Sequence, residues 1–341
     1  MKRVKIQEIA DVTGLSRATI DRALNKRGRV HQRTSEIIDE AIRQLQASGQ
    51  ISAGPRLVSN AQALSNFDLV MRVGRGLMEQ MRNVKRANSG TFEIHDLYQC
   101  DHDAMLACVQ ELCRDLARPL VITAKNTEAL RDELSRARER GKRIIALVSD
   151  LSSDARDAFV GIDNKMAGQT AAFIIGNALR RTEARVGVVL GDYAFACHED
   201  REIGFRTNLR TNFPSVQITD VVKGEDSPEQ TYNAVRGLLA AHPDISALYN
   251  VAGGNQGLAR AVQETGRSAE IFIVTHESNH VTAPLARQGL IDYLIAQNPF
   301  DLLRRVEEVL AQVSADRAKE INLVDFAVFT RFNLPTWEAA L

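Results

Sequence analysis

Residues 159–179, reading FVGIDNKMAGQTAAFIIGNAL, decide the fold of most of this chain. The apolar run Phe159–Ile162 ends in the polar pair Asp163 and Asn164. A helical stretch, Ala167–Leu179, follows directly. A short apolar strand, a polar turn and a helix form the repeating unit of parallel α/β sheets. Asp163 and Asn164 can cap this helix, and a cap is compatible with a ligand contact by a neighbour.

The same unit recurs on both sides of this stretch. Other predicted helices are Glu128–Arg140, Glu229–Ala241 and Gly257–Thr265. Continuous apolar strands separated by helices indicate parallel sheets that are covered on both faces. Because the strands are too many for one such sheet, we expect a body of two doubly wound lobes of similar size. The other predicted strands are Phe92–Leu97, Leu120–Thr123, Ile144–Val148, Val186–Leu190, Ser246–Tyr249, Ile271–Thr275 and Tyr293–Ala296.

The first part of the chain has a different pattern. Residues Ile6–Asn25, reading IQEIADVTGLSRATIDRALN, predict two short helices separated by Gly14, with Ser16 as the N-cap of the second. Apolar residues of the second helix are expected to face inward: Ile20, Ala23 and Leu24. Its polar face carries side-chain types that reach base edges and phosphates in a major groove. A third helix with a buried stripe including Ile38 follows, so the sequence predicts a three-helix, helix-turn-helix head.

Charge supports a separate head. Through Gln50 the chain has ten basic residues against six acidic ones, although the net charge of the whole is +0. A basic head on an acidic body suits nucleic-acid binding, and chance clustering of surface charge is the alternative. The stretch Gln46–Pro55, QASGQISAGP, is typical of a linker. We therefore expect a head over residues 1–46, a linker over 47–56 and a two-lobed body over 57–341.

Polar side chains follow the predicted strands of the body, where ligands of doubly wound sheets bind. Donors and acceptors are mixed and aromatic residues are few, which suits a sugar or polyol. Three of the positions have structural alternatives: Gly253 and Gly254 can serve only a turn, and His276 can be a satisfied structural histidine. The strand-end residues include Asp150, Arg201, Asn250, Asn255, His276, Glu277 and Gln297.

Several classes of protein are disfavoured. No apolar run is long enough to span a bilayer, and the N-terminus has no apolar signal segment, so we expect a cytoplasmic chain without a membrane partner. The four cysteines form no C-x-x-C pair, which favours buried thiols over a metal site. No nucleophile elbow, zinc-binding HExxH or phosphate-binding loop is present, so the chain is not expected to be an enzyme or to need a cofactor.

The chain resembles the lac-repressor (LacI) family of bacterial transcription regulators. The head segment IQEIADVTGLSRATIDRALNKRGRVHQRTSEII looks like the family's N-terminal signature. The body resembles periplasmic sugar-binding proteins in the strings FVGIDNKMAGQTAA, GDYAFACHEDREIGF, YNVAGGNQG, VTHESNHVT and LIAQNP. Two features depart from the family pattern: Asp21 lies on the reading helix, and the linker lacks the leucine of the family's hinge helix.

The resemblance implies roles for individual residues. In the head it implies DNA contacts, with base contacts by Arg17, Ala18 and Arg22 and with backbone or loop contacts by the remainder. In the body it implies contacts to a sugar-like effector, with Asn66, Phe67 and Asp68 placed after the first strand. The DNA-contacting set is Ser16, Arg17, Ala18, Thr19, Arg22, Asn25, Arg29, His31 and Thr34. The effector-contacting set is Asn66, Phe67, Asp68, Lys125, Asp150, Arg201, Asn250, Asn255, His276, Glu277 and Gln297.

Together these features predict a sequence-specific transcription regulator, a repressor in the family it resembles. A homodimer would read a pseudo-palindromic operator in double-stranded DNA, and a sugar-like molecule between the lobes would set its DNA affinity. The alternatives are a sugar- or polyol-binding protein without specific DNA reading, a solute-binding protein that serves a transporter, and a carbohydrate-processing enzyme.

Overall fold

The computed structural model describes residues 66–72, 74–88, 92–98, 100–179, 183–311 and 321–335, together with four residues nearer the N-terminus. The chain divides into two compact units, Met1–Asn60 and Ala61–Leu341. The expected boundaries of head, linker and body stay predictions.

In the first unit the described residues are helical: Ile20, Ala23, Leu24 and Ile38. Ile20 and Ile38 are buried, as the apolar pattern predicts. Leu24 is 42% exposed, so the expectation that it faces inward is wrong. The expected DNA contacts and the linker lie outside the described residues: Ser16, Arg17, Ala18, Thr19, Arg22, Asn25, Arg29, His31, Thr34 and residues 47–56.

The second unit contains two lobes, each built on a parallel sheet. The first lobe begins with alternating strands and helices. Its elements are β1 (Asp68–Met71), α1 (Arg75–Asn88), β2 (Glu93–Asp96), α2 (His102–Leu112), β3 (Leu120–Thr123), α3 (Glu128–Glu139), β4 (Ile144–Leu147) and β5 (Ala158–Gly161).

The second lobe repeats this arrangement. Its elements are α4 (Asn164–Leu179), β6 (Ala184–Leu190), α5 (Ala196–Asn212), β7 (Val216–Lys223), α6 (Pro228–Ala241), β8 (Ile245–Asn250), α7 (Asn255–Glu264), β9 (Phe272–His276), α8 (Thr282–Arg287) and β10 (Tyr293–Gln297). The chain then returns to the first lobe with α9 (Pro299–Ala311) and β11 (Ile321–Leu323), and ends its described part with β12 (Phe326–Phe329) in the second.

The two sheets have the same strand order. The first is β11-β5-β4-β3-β1-β2 and the second is β12-β10-β9-β8-β6-β7. All pairs are parallel except β10 with β12, which is antiparallel. This confirms the expectation of two doubly wound lobes. The central strands β1, β3, β4 and β5 are fully buried because helices cover both faces.

The lobes are joined where strands of one sheet lead to elements of the other. Ile162 and Asp163 connect β5 to α4, Asn298 connects β10 to α9, and Val324 and Asp325 connect β11 to β12. Since all parallel strands of a sheet end at the same edge, these crossings keep the carboxyl ends of both sheets at one junction.

Helices α4 and α5 approach closely enough for their backbones to touch at two glycines. A Cβ atom at Gly168 of α4 would overlap the carbonyl oxygen of Arg201, and one at Gly204 of α5 would overlap that of Lys165. The two glycines therefore fix the position of the helix segment that carries Arg201.

We predict that Gly168→Ala lowers the free energy of unfolding by about 1–3 kcal/mol, because the helices must separate to admit the methyl group. Gly237→Ala is the matched control, since Gly237 lies exposed in α6 with no atom within 4 Å of an added Cβ. That substitution should stabilise the protein by roughly 0.5–1 kcal/mol. Urea unfolding of the three proteins measures both effects, and equal stability of the two variants would contradict this account of the helix contact.

Candidate functional site

A cleft of about 460 Å³ lies between the carboxyl ends of the two sheets. The first lobe contributes residues at or just after the ends of its strands, including Arg72, Tyr98, Thr123 and Val148. The second lobe contributes side chains from the first turns of α5 and from the ends of β7, β8 and β9 and the residues that follow them. The members used below are Cys197, His198, Arg201, Asp226, Asn255, His276 and Glu277.

Arg201 is a buried cation in the wall of the cleft, only 3% exposed. Its Nε donates to Oδ1 of Asn164 at 2.8 Å, and its Nη1 donates to the carbonyl oxygen of Val251 at 2.8 Å. Its Nη2 lies 3.7 Å from Oε1 of Glu277 and makes no hydrogen bond to the described residues. The planar guanidinium is thus fixed on two sides and has one donor free to meet a ligand.

Glu277 is held by an unusual backbone conformation directly after β9. Its φ is 66°, in the left-handed region, which costs a non-glycine residue of order 1–3 kcal/mol. Its Oε1 accepts from Nε2 of Gln297 at 2.9 Å, whereas Oε2 is buried without a hydrogen bond. Burial raises the pKa of Glu277, and Arg201 and Gln297 partly oppose this, so that the net pKa lies above its ordinary value.

His276 is a buried, neutral donor beside Glu277. Burial, followed by the positive charges of Arg201 and His198, holds its pKa well below its ordinary value. Its Nε2 lies 2.7 Å from the hydroxyl of Tyr249. Burial raises the pKa of Tyr249, so this hydroxyl keeps its proton. We assign the hydroxyl as the donor to Nε2, which leaves the imidazole proton on Nδ1, an atom with no hydrogen-bond partner.

Of the residues predicted to contact an effector, four line the cleft and two support it. Arg201, Asn255, His276 and Glu277 are lining residues. Asn250 and Gln297 lie buried behind them, where Asn250 donates to Oδ1 of Asn255 at 2.9 Å and Gln297 donates to Glu277. The fold brings these six side chains together, five of them from strand ends or the residues that follow and Arg201 from α5, and their contact with a ligand stays a prediction.

Two further predicted residues are paired away from the lining. Asp150 accepts from Arg156 through both carboxylate oxygens, with Nη2 to Oδ2 at 2.7 Å, so its charge is neutralised by a neighbour. Lys125 forms an ion pair with Asp192 of the second lobe. Both side chains therefore pair with neighbouring residues and do not line the cleft.

The placement of Asn66, Phe67 and Asp68 after the first strand of the body is wrong. They precede or begin β1, whereas its carboxyl end leads to Arg72. Asn66 is exposed, Phe67 stacks on Phe92 in the core with ring centroids 4.9 Å apart, and Asp68 pairs with charged neighbours. The sequence prediction took the strand to lie too early in the chain.

Asp68 belongs to a cluster at the amino ends of β1 and β2. Asp68, Glu93 and His95 each offer a possible metal-ligating atom within 4.8 Å of the others. Nε of Arg118 lies 3.2 Å from Oδ2 of Asp68, and its Nη1 lies 3.7 Å from Oε1 of Glu93. Because this arginine already supplies a cation, we interpret the cluster as an ion-pair network, and the expectation of no metal site stays a prediction.

Sequence reasoning missed several cleft residues. Arg72 was missed because β1 was misplaced, and Asp226 because its strand, β7, alternates in polarity at a sheet edge. Cys197 and His198 stand in the quoted loop GDYAFACHED, but only Arg201 was chosen from that region. The signal that could have identified them is their place in the first turn of a helix that follows a buried strand.

No helix of the described part of the chain has both the length and the apolar character to cross a bilayer.

The family described as "Periplasmic binding protein domain" matches residues 81–318. Solved structures share the fold. GanP, a glucose-galactose binding protein from Geobacillus stearothermophilus, is 17% identical with a TM-score of 0.70, and the match covers 80% of this chain and 100% of that one. An ABC transporter solute-binding protein from Burkholderia graminis, in complex with D-arabinose, is 15% identical with a TM-score of 0.70, covering 80% and 98%. A sugar-binding protein of a Bacillus halodurans sugar ABC transporter is 21% identical with a TM-score of 0.65, covering 80% and 99%.

We predict a measurable proton linkage at His276. Because its folded pKa is depressed, an unfolded chain with a histidine pKa of about 6.5 binds the proton more readily. The stabilising contribution of the neutral imidazole is complete above about pH 6.5 and is lost as the pH falls below it, by at most about 1.4 kcal/mol per pH unit. In His276→Gln, whose amide oxygen can still accept from Tyr249, this loss should be absent.

Urea unfolding at about pH 8 and about pH 5 gives the loss of unfolding free energy for each protein. Contributions from groups that titrate alike in the wild type and in His276→Gln cancel in the difference. His242→Gln, at the C-terminal end of α6, is the histidine control. An equal pH-dependent loss in the wild type and in His276→Gln would refute the linkage.

Proposed function

We propose that this chain, which belongs to the periplasmic binding protein domain family, binds a neutral, polyhydroxylated ligand of the sugar class between its two lobes. The observation that carries the proposal is a set of buried polar atoms that make no hydrogen bond to the described residues. The donors are Nε of Arg72, Nη2 of Arg201 and Nδ1 of His276, and the acceptor is Oε2 of Glu277.

This mixture of donors and acceptors suits hydroxyl groups. A hydroxyl donates once and accepts through two lone pairs, so that neighbouring hydroxyls can satisfy both kinds of atom. Leaving these atoms unpaired costs of order 1–3 kcal/mol each, which a matching ligand would recover. An apolar ligand would leave that cost in place.

The charges of the cleft favour a neutral ligand. Among the described lining residues, Arg72 and Arg201 are balanced by Asp226 and Glu277. A phosphate or carboxylate near Arg201 would also face Glu277, whose Oε1 lies 3.7 Å from Nη2 of that arginine. The structural neighbours support the sugar class, since their names give glucose, galactose and D-arabinose as ligands of those proteins.

We further propose that the protein reads DNA and that the ligand controls this reading. The support is the amino-acid sequence of the N-terminal region, with its helix-turn-helix pattern over Ile6–Asn25 and its excess of basic residues. Such a regulator would act in the cytoplasm as a homodimer, with two heads on a pseudo-palindromic operator. A coupling of about 1–3 kcal/mol between ligand and operator would change DNA affinity roughly 5–150-fold.

We predict that Arg201→Lys weakens sugar binding at least about tenfold. Lysine keeps the charge beside Glu277 but lacks the planar fork that meets Asn164, Val251 and a ligand together. The matched control is Arg206→Lys, one turn further along α5, whose arginine pairs with Glu202 and is 42% exposed. A thermal-shift screen of sugars, polyols and their acids identifies the ligand, and calorimetry then measures its dissociation constant.

Two outcomes would count against the ligand proposal. In the first, no sugar or polyol raises the melting temperature of the wild type. In the second, Arg201→Lys and Arg206→Lys bind an identified ligand equally well, which would place the ligand away from Arg201.

We predict that the protein binds a fragment of its own upstream region more tightly than random DNA, with an affinity that falls as salt rises. Arg22→Ala should reduce this discrimination by roughly 1–3 kcal/mol if the arginine contacts a base through two hydrogen bonds. Arg43→Ala, which removes the same charge from the third predicted helix, should leave the discrimination unchanged. Equal binding to both DNAs at every salt concentration would instead favour a sugar-binding protein without specific DNA reading.

A further inference from the structure

Cys197 and His198 occupy the first turn of α5 and line the cleft, yet sugar binding gives neither a role. The backbone N–H of Cys197 donates to Oγ of Ser149 at 3.3 Å, and the side chains of Cys197 and His198 line the same cavity. Nδ1 of His198 lies 3.2 Å from both the backbone nitrogen and the carbonyl oxygen of Asp192, and its Nε2 lies 4.0 Å from Oδ1 of Asp226. The arrangement is a thiol, an imidazole and a carboxylate that meet in one cavity, as in sites that activate a cysteine nucleophile.

The electrostatics of the cluster shift the pKa values of Cys197 and His198 toward their charged forms. Burial raises the pKa of Cys197, but His198, Arg201 and Ser149 lower it by more, so the net pKa is below its ordinary value. Burial lowers the pKa of His198, whereas Cys197 and Asp226 raise it, and the net pKa is above its ordinary value. The start of α5 adds to this, because the N-cap Phe195 provides no side-chain acceptor and the helix dipole favours a negative charge there.

The other cysteines differ. Burial raises the pKa of Cys108, and burial also raises that of Cys113 to about 11. These two thiols lie in the first lobe and pack against its core, away from the cleft lining. Reactivity that follows thiolate character should therefore be higher at Cys197 than at Cys108 and Cys113.

We propose that Cys197 is a nucleophilic site of the cleft that forms a reversible covalent bond with a small hydroxylated aldehyde. The thiolate sulfur adds to the carbonyl carbon, and the π electron pair moves to the carbonyl oxygen. That oxygen takes the proton of the His198 imidazolium, which gives a hemithioacetal and a neutral imidazole. Asp226 acts as a positioning residue for His198, and the step needs no oxidant, reductant or further reactant.

The cleft favours this class of electrophile. The unpaired donors and the unpaired acceptor that suit a sugar would hold the hydroxyl groups of such an aldehyde, so this part of the inference rests on the proposed ligand site. The reactivity of the thiolate does not rest on the proposed ligand site. Ser149 of the first lobe accepts from the backbone N–H of Cys197 of the second lobe, so Cys197 lies where the two lobes meet.

The first test is the pH profile of alkylation by iodoacetamide, followed by peptide mapping of all four cysteines in the folded wild-type protein. The reaction of Cys197 should reach half of its maximal rate below about pH 8.5, the value for an ordinary cysteine. His198→Gln should slow the reaction at least about tenfold near pH 6.5 and have little effect near pH 9.5, where the thiol ionises without help. His242→Gln should leave the profile unchanged.

Two results of this test would overturn the proposal. One is a wild-type profile centred at or above about pH 8.5, which decides the matter even if His198→Gln fails to fold. The other is a folded His198→Gln with the wild-type profile.

The second test uses glycolaldehyde, with ethylene glycol as the matched diol that lacks a carbonyl group. Glycolaldehyde should slow the alkylation of Cys197, dilution should restore the rate, and ethylene glycol should have no comparable effect. Equal protection by both compounds would overturn covalent capture, because it would show that the cleft holds diols without forming a bond.

The two proposals fail separately. If sugars bind normally while Cys197 is unreactive, the covalent site is refuted and the sugar site stands. If Cys197 reacts as expected while no sugar binds, the thiolate site stands without the sugar proposal.

Discussion

The buried guanidinium of Arg201 is the constraint on which the cleft depends. A buried cation needs compensation, and here Asn164 and Val251 accept hydrogen bonds from Arg201 while Glu277 supplies an opposite charge 3.7 Å from its Nη2. Asn164 begins α4, so the same contact fixes the point where the chain enters the second lobe. The carbonyl oxygen of Arg201 also lies against Gly168, which ties the close contact of α4 and α5 to the position of the charge. Site geometry and lobe packing are therefore specified by the same few residues.

The same strained backbone conformation occurs after one strand of each lobe. Val148 follows β4 and Glu277 follows β9, which are equivalent strands in the two sheets, and both residues have φ of 66°. Each donates its backbone N–H to the adjacent parallel strand, to Val160 and Ile295 respectively. Valine is β-branched and is rarely found in this conformation. Strain at matching positions turns both strand ends toward the cleft, which is where such strain is retained in proteins.

The sequence predicts what burial dictates and misses what edges and loops decide. Most central strands are predicted correctly because a strand covered on both faces must be continuously apolar, as in Ile144–Leu147, and β1 is the exception. β7 is not predicted because it lies at a sheet edge and alternates in polarity. Without that strand, Asp226 is not recognised as a residue that follows a strand end. Arg201 and Glu277 are found because strand ends point into the cleft. Lys125 and Asp150 stand at strand ends too, but no sequence pattern shows that Asp192 and Arg156 already pair with them.

Individual polar contacts between the two lobes are weak. Lys125 and Asp192 form an ion pair that is about one quarter exposed, and such pairs contribute about 0–1 kcal/mol. Asn126 donates its backbone N–H to Ala194 at 2.7 Å, and Gln80 donates to the carbonyl oxygen of Ser278. Because a ligand shifts an equilibrium only through its differential affinity, a ligand that meets the unpaired atoms of Arg72 in the first lobe and Arg201 in the second would favour the arrangement that brings the two lobes together.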